Sequence, residues 1–214
     1  MAKVAREIVE KRPAEIIEAC RKLYKVKSFK EISLKDISRE TSLSRPSIYN
    51  YFQTKEEIFL AVLEDEYRLW NISLENILKN NEELGVEEFS AKFSNTLKER
   101  TGLLKILSMN LYEIEENSRK ESLVEFKKEY GKAVELTGLC LKKFFQSLSE
   151  EERKEFIFAF FPFMYGLYPY VHPTEKQLDA MMDAGIERLD MDQVETARKF
   201  IKDILYGIVK EEQR

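Results

Sequence analysis

Residues 29–59 read FKEISLKDISRETSLSRPSIYNYFQTKEEIF. Three helix starts are written into this stretch. Ser33, followed by Leu34-Lys35-Asp36, sets an N-cap hydroxyl ahead of a first-turn carboxylate that complements the helix dipole. The helix it opens is short and ends near Thr41. Ser44, followed by Arg45-Pro46-Ser47, is a second N-cap, with the proline in the first turn where its missing N–H has no partner to lose. Thr54-x-x-Glu57 is a capping-box signature for a third. Only Thr41-Ser42-Leu43 separates the first two of these helices, which is helix-turn-helix spacing. Leu34, Ile37, Leu43, Ile48 and Phe52 are placed to form one small core beneath them. Upstream, Pro13 is expected in the first turn of a helix whose inner face is Ile16, Ile17, Cys20, Leu23 and Tyr24. Downstream, Phe59, Leu63, Tyr67 and Trp70 stripe the helix that begins at Thr54.

The outer surface of the helix after Ser44 presents Ser44, Arg45, Ser47, Tyr49, Asn50 and Tyr51 on about two turns. A cation, an amide, hydroxyls and phenols suit phosphate oxygens and base edges. A merely solvated helix more often carries Glu and Lys pairs. Charge at first opposes this reading. The 214 residues hold 35 Lys+Arg against 39 Asp+Glu, a net of −4, whereas a DNA binder must displace phosphate counterions with positive charge. The distribution reverses the argument. Residues 1–55 carry 13 basic and 7 acidic groups, a net of +6, and residues 56–214 carry 22 and 32, a net of −10. No carboxylate falls between Thr41 and Lys55. An acidic remainder repels phosphate and leaves contact to the basic end.

Ile37, the turn Thr41-Ser42-Leu43-Ser44, and Ile48-Tyr49-Asn50-Tyr51-Phe52 followed by Thr54-Lys55-Glu56-Glu57 closely resemble the DNA-binding domain of TetR-type transcriptional regulators. The stretch over residues 29–59 covers about a seventh of the chain. The resemblance implies that the third helix enters the major groove of a double-stranded DNA operator and that the fourth links this head to a ligand-binding body. It assigns Ser33 and Lys35, at the start of the second helix, to a phosphate. Ser44, Arg45, Pro46 and Ser47 would begin the recognition helix, with Arg45 reading a guanine. Tyr49 and Tyr51 would contact phosphate, Asn50 base or backbone, and Lys55 phosphate at the fourth helix's N-terminus. Tyr51 equally suits the core of the head. The family often has Gly where Ser28 and Ser42 stand, which predicts slight strain in the turn.

The remainder reads as helical throughout, and the fold class is all-α: a three-helix head over residues 1–55 and a ligand-binding, dimerising body over 56–214. Leu103, Leu104, Leu107 and Leu111 form one stripe, and Leu123 to Leu148 another stepping by three and four. Glu115 to Lys120 is a polar connector. Ser149-Glu150-Glu151-Glu152 starts a helix. Its run through Phe156, Phe160, Phe161 and Met164 leaves almost no polar face, so it needs burial on two sides. With the last helix, striped by Val194, Ala197, Ile201, Ile204 and Ile208, it is expected to form a homodimer through four helices. Phe93, Tyr112, Phe126, Tyr130, Phe163, Tyr165 and Tyr168 are candidates to line a ligand cavity, although such stripes also suit plain core. No buried cation is evident among them, which points to an apolar or aromatic small-molecule effector.

Composition removes other classes. His172 is the one histidine, expected in a loop over residues 168–173, and Cys20 and Cys140 lie far apart on apolar stripes. No metal-ligand spacing and no acid-base or nucleophile constellation stands out, so neither an enzyme, a metal nor a cofactor is expected. The glycines, all at Gly85 or later, fit no phosphate loop. No stretch reaches the length of a membrane span, residues 1–12 lack a signal-peptide core, and a cytoplasmic protein is expected. The reading is a repressor that binds a partly palindromic operator and is released by its effector. The alternative is a helical dimeric adaptor that has lost sequence-specific DNA binding, which a steep salt dependence of DNA binding would distinguish.

Overall fold

The computed structural model describes residues 2–187 and 190–209, with only the backbone described over residues 2–10. The charges of residues 1–10, 188 and 210–214 that enter the counts above therefore lie outside the described side chains. Among the described residues there are eleven α-helices and no strand. They are α1 (Ala2–Val26), α2 (Leu34–Arg39), α3 (Arg45–Ile48), α4 (Lys55–Asn80), α5 (Val86–Asn95), α6 (Thr101–Met109), α7 (Leu111–Glu116), α8 (Lys120–Phe144), α9 (Glu150–Val171), α10 (Glu175–Asp183) and α11 (Gln193–Ile208). The all-α expectation stands. Two compact units result. One holds the chain through Tyr67 together with Asn110–Tyr130, and the other holds Arg68–Met109 together with the chain from Gly131.

In the first unit, α2 packs on α1 and α3 on α2. Ile16, Cys20, Ile37, Ile48 and Phe59 are fully buried, and Leu23, Tyr24 and Leu43 nearly so. Tyr24 and Phe29 both meet the Phe59 ring edge-on, at 5.0 and 4.8 Å between centroids. That is the arrangement that ring quadrupoles favour. Leu34 and Phe52, expected in this core, are only half-buried. Phe29 enters it because residues Phe29–Glu31 form a short 3-10 turn, capped by Ser28.

In the second unit, α11 lies along α5 and α9, and α6 lies on α9. Its core is aromatic. The Trp70 indole donates to the Thr96 hydroxyl at 2.8 Å. Phe93 and Phe160 meet at 5.2 Å, Phe156 stacks on Phe160 at 5.8 Å, and Phe89 meets Phe145 at 5.2 Å. Gln193, at the start of α11, is buried because its amide donates to the Leu97 carbonyl at 2.7 Å.

Three local expectations are corrected. Pro13 stands inside α1, which begins at Ala2; one carbonyl of the preceding turn there lacks its donor. Pro162 and Pro169 lie inside α9, which continues to Val171, so residues 168–171 are helical and His172 is its C-cap. The run from Leu103 to Leu111 breaks at Asn110, and the long stripe of α8 ends at Phe144, before Leu148.

Candidate nucleic-acid interface

The turn between α2 and α3 is tied down by short polar side chains. The Ser38 hydroxyl donates to the Leu43 carbonyl at 2.8 Å, the Thr41 hydroxyl donates to the Ser38 carbonyl at 3.1 Å, and the Leu43 N–H donates to the Thr41 hydroxyl at 3.2 Å. Hydroxyls at such spacings replace backbone partners that a helix would supply. The Ser42 N–H and hydroxyl donate to the two Glu15 carboxylate oxygens at 2.5 and 3.0 Å. Among the described residues no residue other than glycine has positive φ. The strain predicted at Ser28 and Ser42 is therefore absent, because neither position needs the left-handed conformation that glycine favours.

α3 itself is one turn, not two. Ser44 caps it, accepting from the Ser47 N–H at 3.4 Å, and Pro46 lies in its first turn. Beyond Ile48 the path continues through Asn50 N–H to the Ser47 carbonyl, and Tyr51 and Phe52 N–H to the Ile48 carbonyl, at 3.3, 2.9 and 3.0 Å. Ser44, Arg45, Pro46, Tyr49 and Asn50 are exposed, and Ser47 and Tyr51 half-buried. Arg45 donates to the Tyr49 hydroxyl at 3.2 Å, with its guanidinium 5.8 Å from the ring centre. These side chains form one polar, carboxylate-free surface.

Two of the expected phosphate ligands are differently occupied. At the start of α2, the Asp36 carboxylate accepts the Ser33 N–H at 3.0 Å and the Ser33 hydroxyl at 2.5 Å. The Ser33 hydroxyl and N–H donate first to this carboxylate, holding the Asp36 carboxyl below the usual range. An anion of the chain already sits at that helix terminus, and Lys35 beside it is exposed. Lys55 donates to the Phe29 carbonyl at 3.0 Å and lies 4.0 Å from the centre of the Phe29 ring. Its ammonium joins α4 to the Phe29 turn, a role within the head that sequence spacing did not reveal.

The capping box at Thr54 is half made. The Glu57 N–H donates to the Thr54 hydroxyl at 3.1 Å, but the Glu57 carboxylate reaches back to the Gln53 N–H at 2.7 Å. It also accepts from the Arg119 side chain, at 2.5 Å from Nε and 3.0 Å from Nη2, and from the Arg119 N–H at 3.2 Å. Burial pushes the Glu57 carboxyl up, but these hydrogen bonds from Arg119 and Gln53 outweigh it and hold the group below its ordinary value. Arg119 and Glu15 were missed by sequence reading, because each acts across a gap in sequence that no local pattern marks.

The expected ligand-lining aromatics do not surround one cavity. Tyr112 is 83% exposed and Phe93 is fully buried. Phe126 and Tyr130 pack on Tyr67, each at 5.8 Å. Phe163 stacks on Phe200 at 3.9 Å, and Tyr168 lies against the His172 ring at 4.7 Å; Tyr165 is half-buried. A cavity of about 420 Å³ lies instead where α9 meets α10, lined by Pro169, Tyr170, Pro173, Met181, Ile186 and Met191, with Gln177 and Glu187 as its polar members. The expected dimer residues also divide. Phe156, Phe160, Phe161, Met164, Ala197 and Ile201 are buried in the subunit's own core, so they offer a partner no surface. Val194, Ile204 and Ile208 are half-buried. The uncovered apolar residues of α9 are Phe158, at 75% exposure, Pro162 and Tyr170. Cys20 and Cys140 are buried free thiols, as expected of core residues. No helix among the described residues is long and apolar enough to cross a membrane.

Comparison with known proteins agrees with this geometry. Residues 16–62 match the family model described as bacterial regulatory proteins, tetR family, and residues 64–212 match the tetracyclin repressor-like C-terminal domain. The chain is similar to the uncharacterized HTH-type transcriptional regulator YfiR of Bacillus subtilis (strain 168), with 40% identity over 62 residues, 29% of this chain and 30% of that protein. It is similar also to the HTH-type transcriptional regulator EthR of Mycolicibacterium smegmatis, with 35% identity over 60 residues, 28% of each. The chain thus spans less than a third of the length of the curated relatives it matches. In fold it resembles a TetR/AcrR-family regulator from Thermobifida fusca, with TM-score 0.61 and 16% identity over 93% of this chain and 99% of that one. It also resembles the regulator FadR from Bacillus subtilis in complex with stearoyl-CoA, with TM-score 0.61 and 14% identity over 91% and 98%. Together the helix-turn-helix at residues 34–48 and the two family matches, which between them run from residue 16 to residue 212, show that the chain belongs to the TetR family of transcriptional regulators.

Proposed function

We propose that the chain is a transcriptional repressor that binds a partly palindromic operator as a homodimer and is released by a small molecule. In this reading residues 1–55 bind DNA, residues 56–214 bind the effector and the second subunit, and the protein acts in the cytoplasm without catalysis. The observation that carries it is the exposed, carboxylate-free surface of residues 44–50 on a basic head. Arg45 is the group suited to a guanine edge, since its fork matches O6 and N7. Ser44, Ser47 and Asn50 supply further donors, and Tyr49 holds the guanidinium in place. Tyr51, Lys35 and Lys55 complete the proposed contacts, Lys55 through the N–H groups beyond the one it gives to Phe29; Ser33 joins them only where a phosphate displaces Asp36, which takes both its N–H and its O–H.

The dimer is supported by the uncovered residues Phe158, Pro162 and Tyr170 of α9 and by Ile204 and Ile208 of α11. For the effector, the cavity between α9 and α10 has a volume typical of small-molecule sites. Its proline, tyrosine and methionine lining favours an apolar or aromatic compound, and methionine adapts to irregular shapes. DNA fragments selected from the genome by the purified protein test the central claim. Arg45→Ala is expected to weaken binding to a selected site by about tenfold or more and to relax preference at one base pair. Unchanged affinity and unchanged preference would remove Arg45 from the reading surface.

A further inference from the structure

The Glu57 carboxylate is 1% exposed and accepts four hydrogen bonds, three of them from Arg119. The fourth comes from the N–H of Gln53, the residue that directly follows Tyr49-Asn50-Tyr51-Phe52. One carboxylate therefore ends the reading turn and grips a residue 62 positions away in sequence. Two neighbouring bonds run the same way. The Thr54 hydroxyl donates to the Asn117 carbonyl at 3.2 Å, and the Tyr24 hydroxyl donates to the Asn110 side-chain oxygen at 2.8 Å. A helix of four residues cannot maintain its own geometry, because nucleation fixes several residues for one hydrogen bond. α3 must be held from both ends. Ser38, Thr41 and Glu15 hold the chain before it, and Glu57 holds the chain after it.

We propose that Glu57 and Arg119 are positioning residues for DNA reading: they clasp the end of the 44–52 turn to residues 117–119 and make operator recognition depend on where that segment stands. The inference rests on the assignment of residues 44–50 to the DNA. Neither residue needs to touch DNA. Removing Arg119 strips a buried carboxylate of its charge partner, which is unfavourable unless the site opens to water; the Gln53 N–H then loses its fixed acceptor. α8 begins at the next residue, Lys120, and its residues from Gly131 belong to the second compact unit.

The test uses the full chain and two readouts, amide hydrogen exchange at Gln53 and binding to a selected genomic site against random-sequence DNA. In Arg119→Ala, exchange at Gln53 is expected to rise about tenfold and affinity for the selected site to fall about tenfold, the scale of one charge-assisted hydrogen bond. Binding to random DNA and its salt dependence should not change, because no phosphate contact is lost. Arg119→Lys, which keeps the charge and loses the fork, should restore part of both effects; it also carries the test if Arg119→Ala fails to fold. Unchanged Gln53 exchange in both variants overturns the clasp, whatever the DNA result. Faster exchange with unchanged site preference overturns its positioning role, and an equal loss on selected and random DNA makes Arg119 a phosphate ligand instead. If the wild-type chain prefers no site, the assignment of residues 44–50 fails, and the positioning role fails with it.

Discussion

Arg45, Lys55 and Glu57 lie within thirteen positions of one another, yet their surroundings give them different work. Arg45 is exposed and leans on Tyr49. Lys55 is drawn to the Phe29 carbonyl and ring, and Glu57 is sealed beneath Arg119. The consequence for Glu57 of its hydrogen bonds from Arg119 and Gln53, which outweigh its burial, is measurable. Its carboxyl titrates below the ordinary value of 4.5, so the charged form is favoured by folding. That contribution is fully present above about pH 4.5 and is lost as pH falls through the depressed folded value. The unfolding midpoint of the wild type should therefore drop more steeply below pH 4.5 than that of Glu57→Gln. Parallel curves would mean that the carboxylate gains nothing from Arg119. Asp36 and Glu31 are also held low, each first by the serine hydroxyl that caps its helix. They are common to both proteins and cancel in the comparison.

At the scale of the element, α9 shows how one apolar run divides its duties. Phe156, Phe160, Phe161 and Met164 are buried within the subunit, while Phe158 and Pro162 are exposed. The sequence shows a helix with almost no polar face and cannot say which side meets the subunit's own core. Phe160 touches Trp70, Phe93, Phe156 and Phe161. Phe160→Ala should lower unfolding free energy by about 3–5 kcal/mol, since a large buried ring leaves a cavity. Denaturant titration would check it; a loss below about 1 kcal/mol would mean that the ring stack adds little to the core. The prolines of α9 carry a related lesson. Pro162 and Pro169 each remove a backbone donor, but the helix passes both because its buried face outweighs the missing bonds.

For the whole molecule, the polarity of charge is the property that reaches furthest. Residues 1–55 carry a net of +6 and residues 56–214 a net of −10, so the helix-turn-helix lies in the basic part of the sequence, in keeping with the family's regulators. Dimerisation would double that head and lift affinity for a two-fold site without any new contact within the subunit. Phe158→Asp places a charge at the N-terminal end of the uncovered stripe of α9. It should leave the fold intact, convert the sedimenting species at micromolar concentration to monomer, and weaken operator binding. A variant that stays dimeric would move the interface away from α9.

The head was legible in the sequence because its information is local. Ser33, Ser44 and Pro46 act on groups within one turn, so the caps and the short turn between α2 and α3 follow from residue order alone. Pattern also determined the all-helical class, since a repeat of three and four fits only one backbone. The structure decided whatever depends on which distant residues meet. It buried Phe93 in an aromatic cluster, exposed Tyr112, moved the cavity to the meeting of α9 and α10, and turned Phe158 rather than Phe160 outward. It also gave Glu57 to Arg119 rather than to its own capping box. Periodicity defines a face of a helix but not its neighbour, and a carboxylate takes the strongest donors that folding brings within reach.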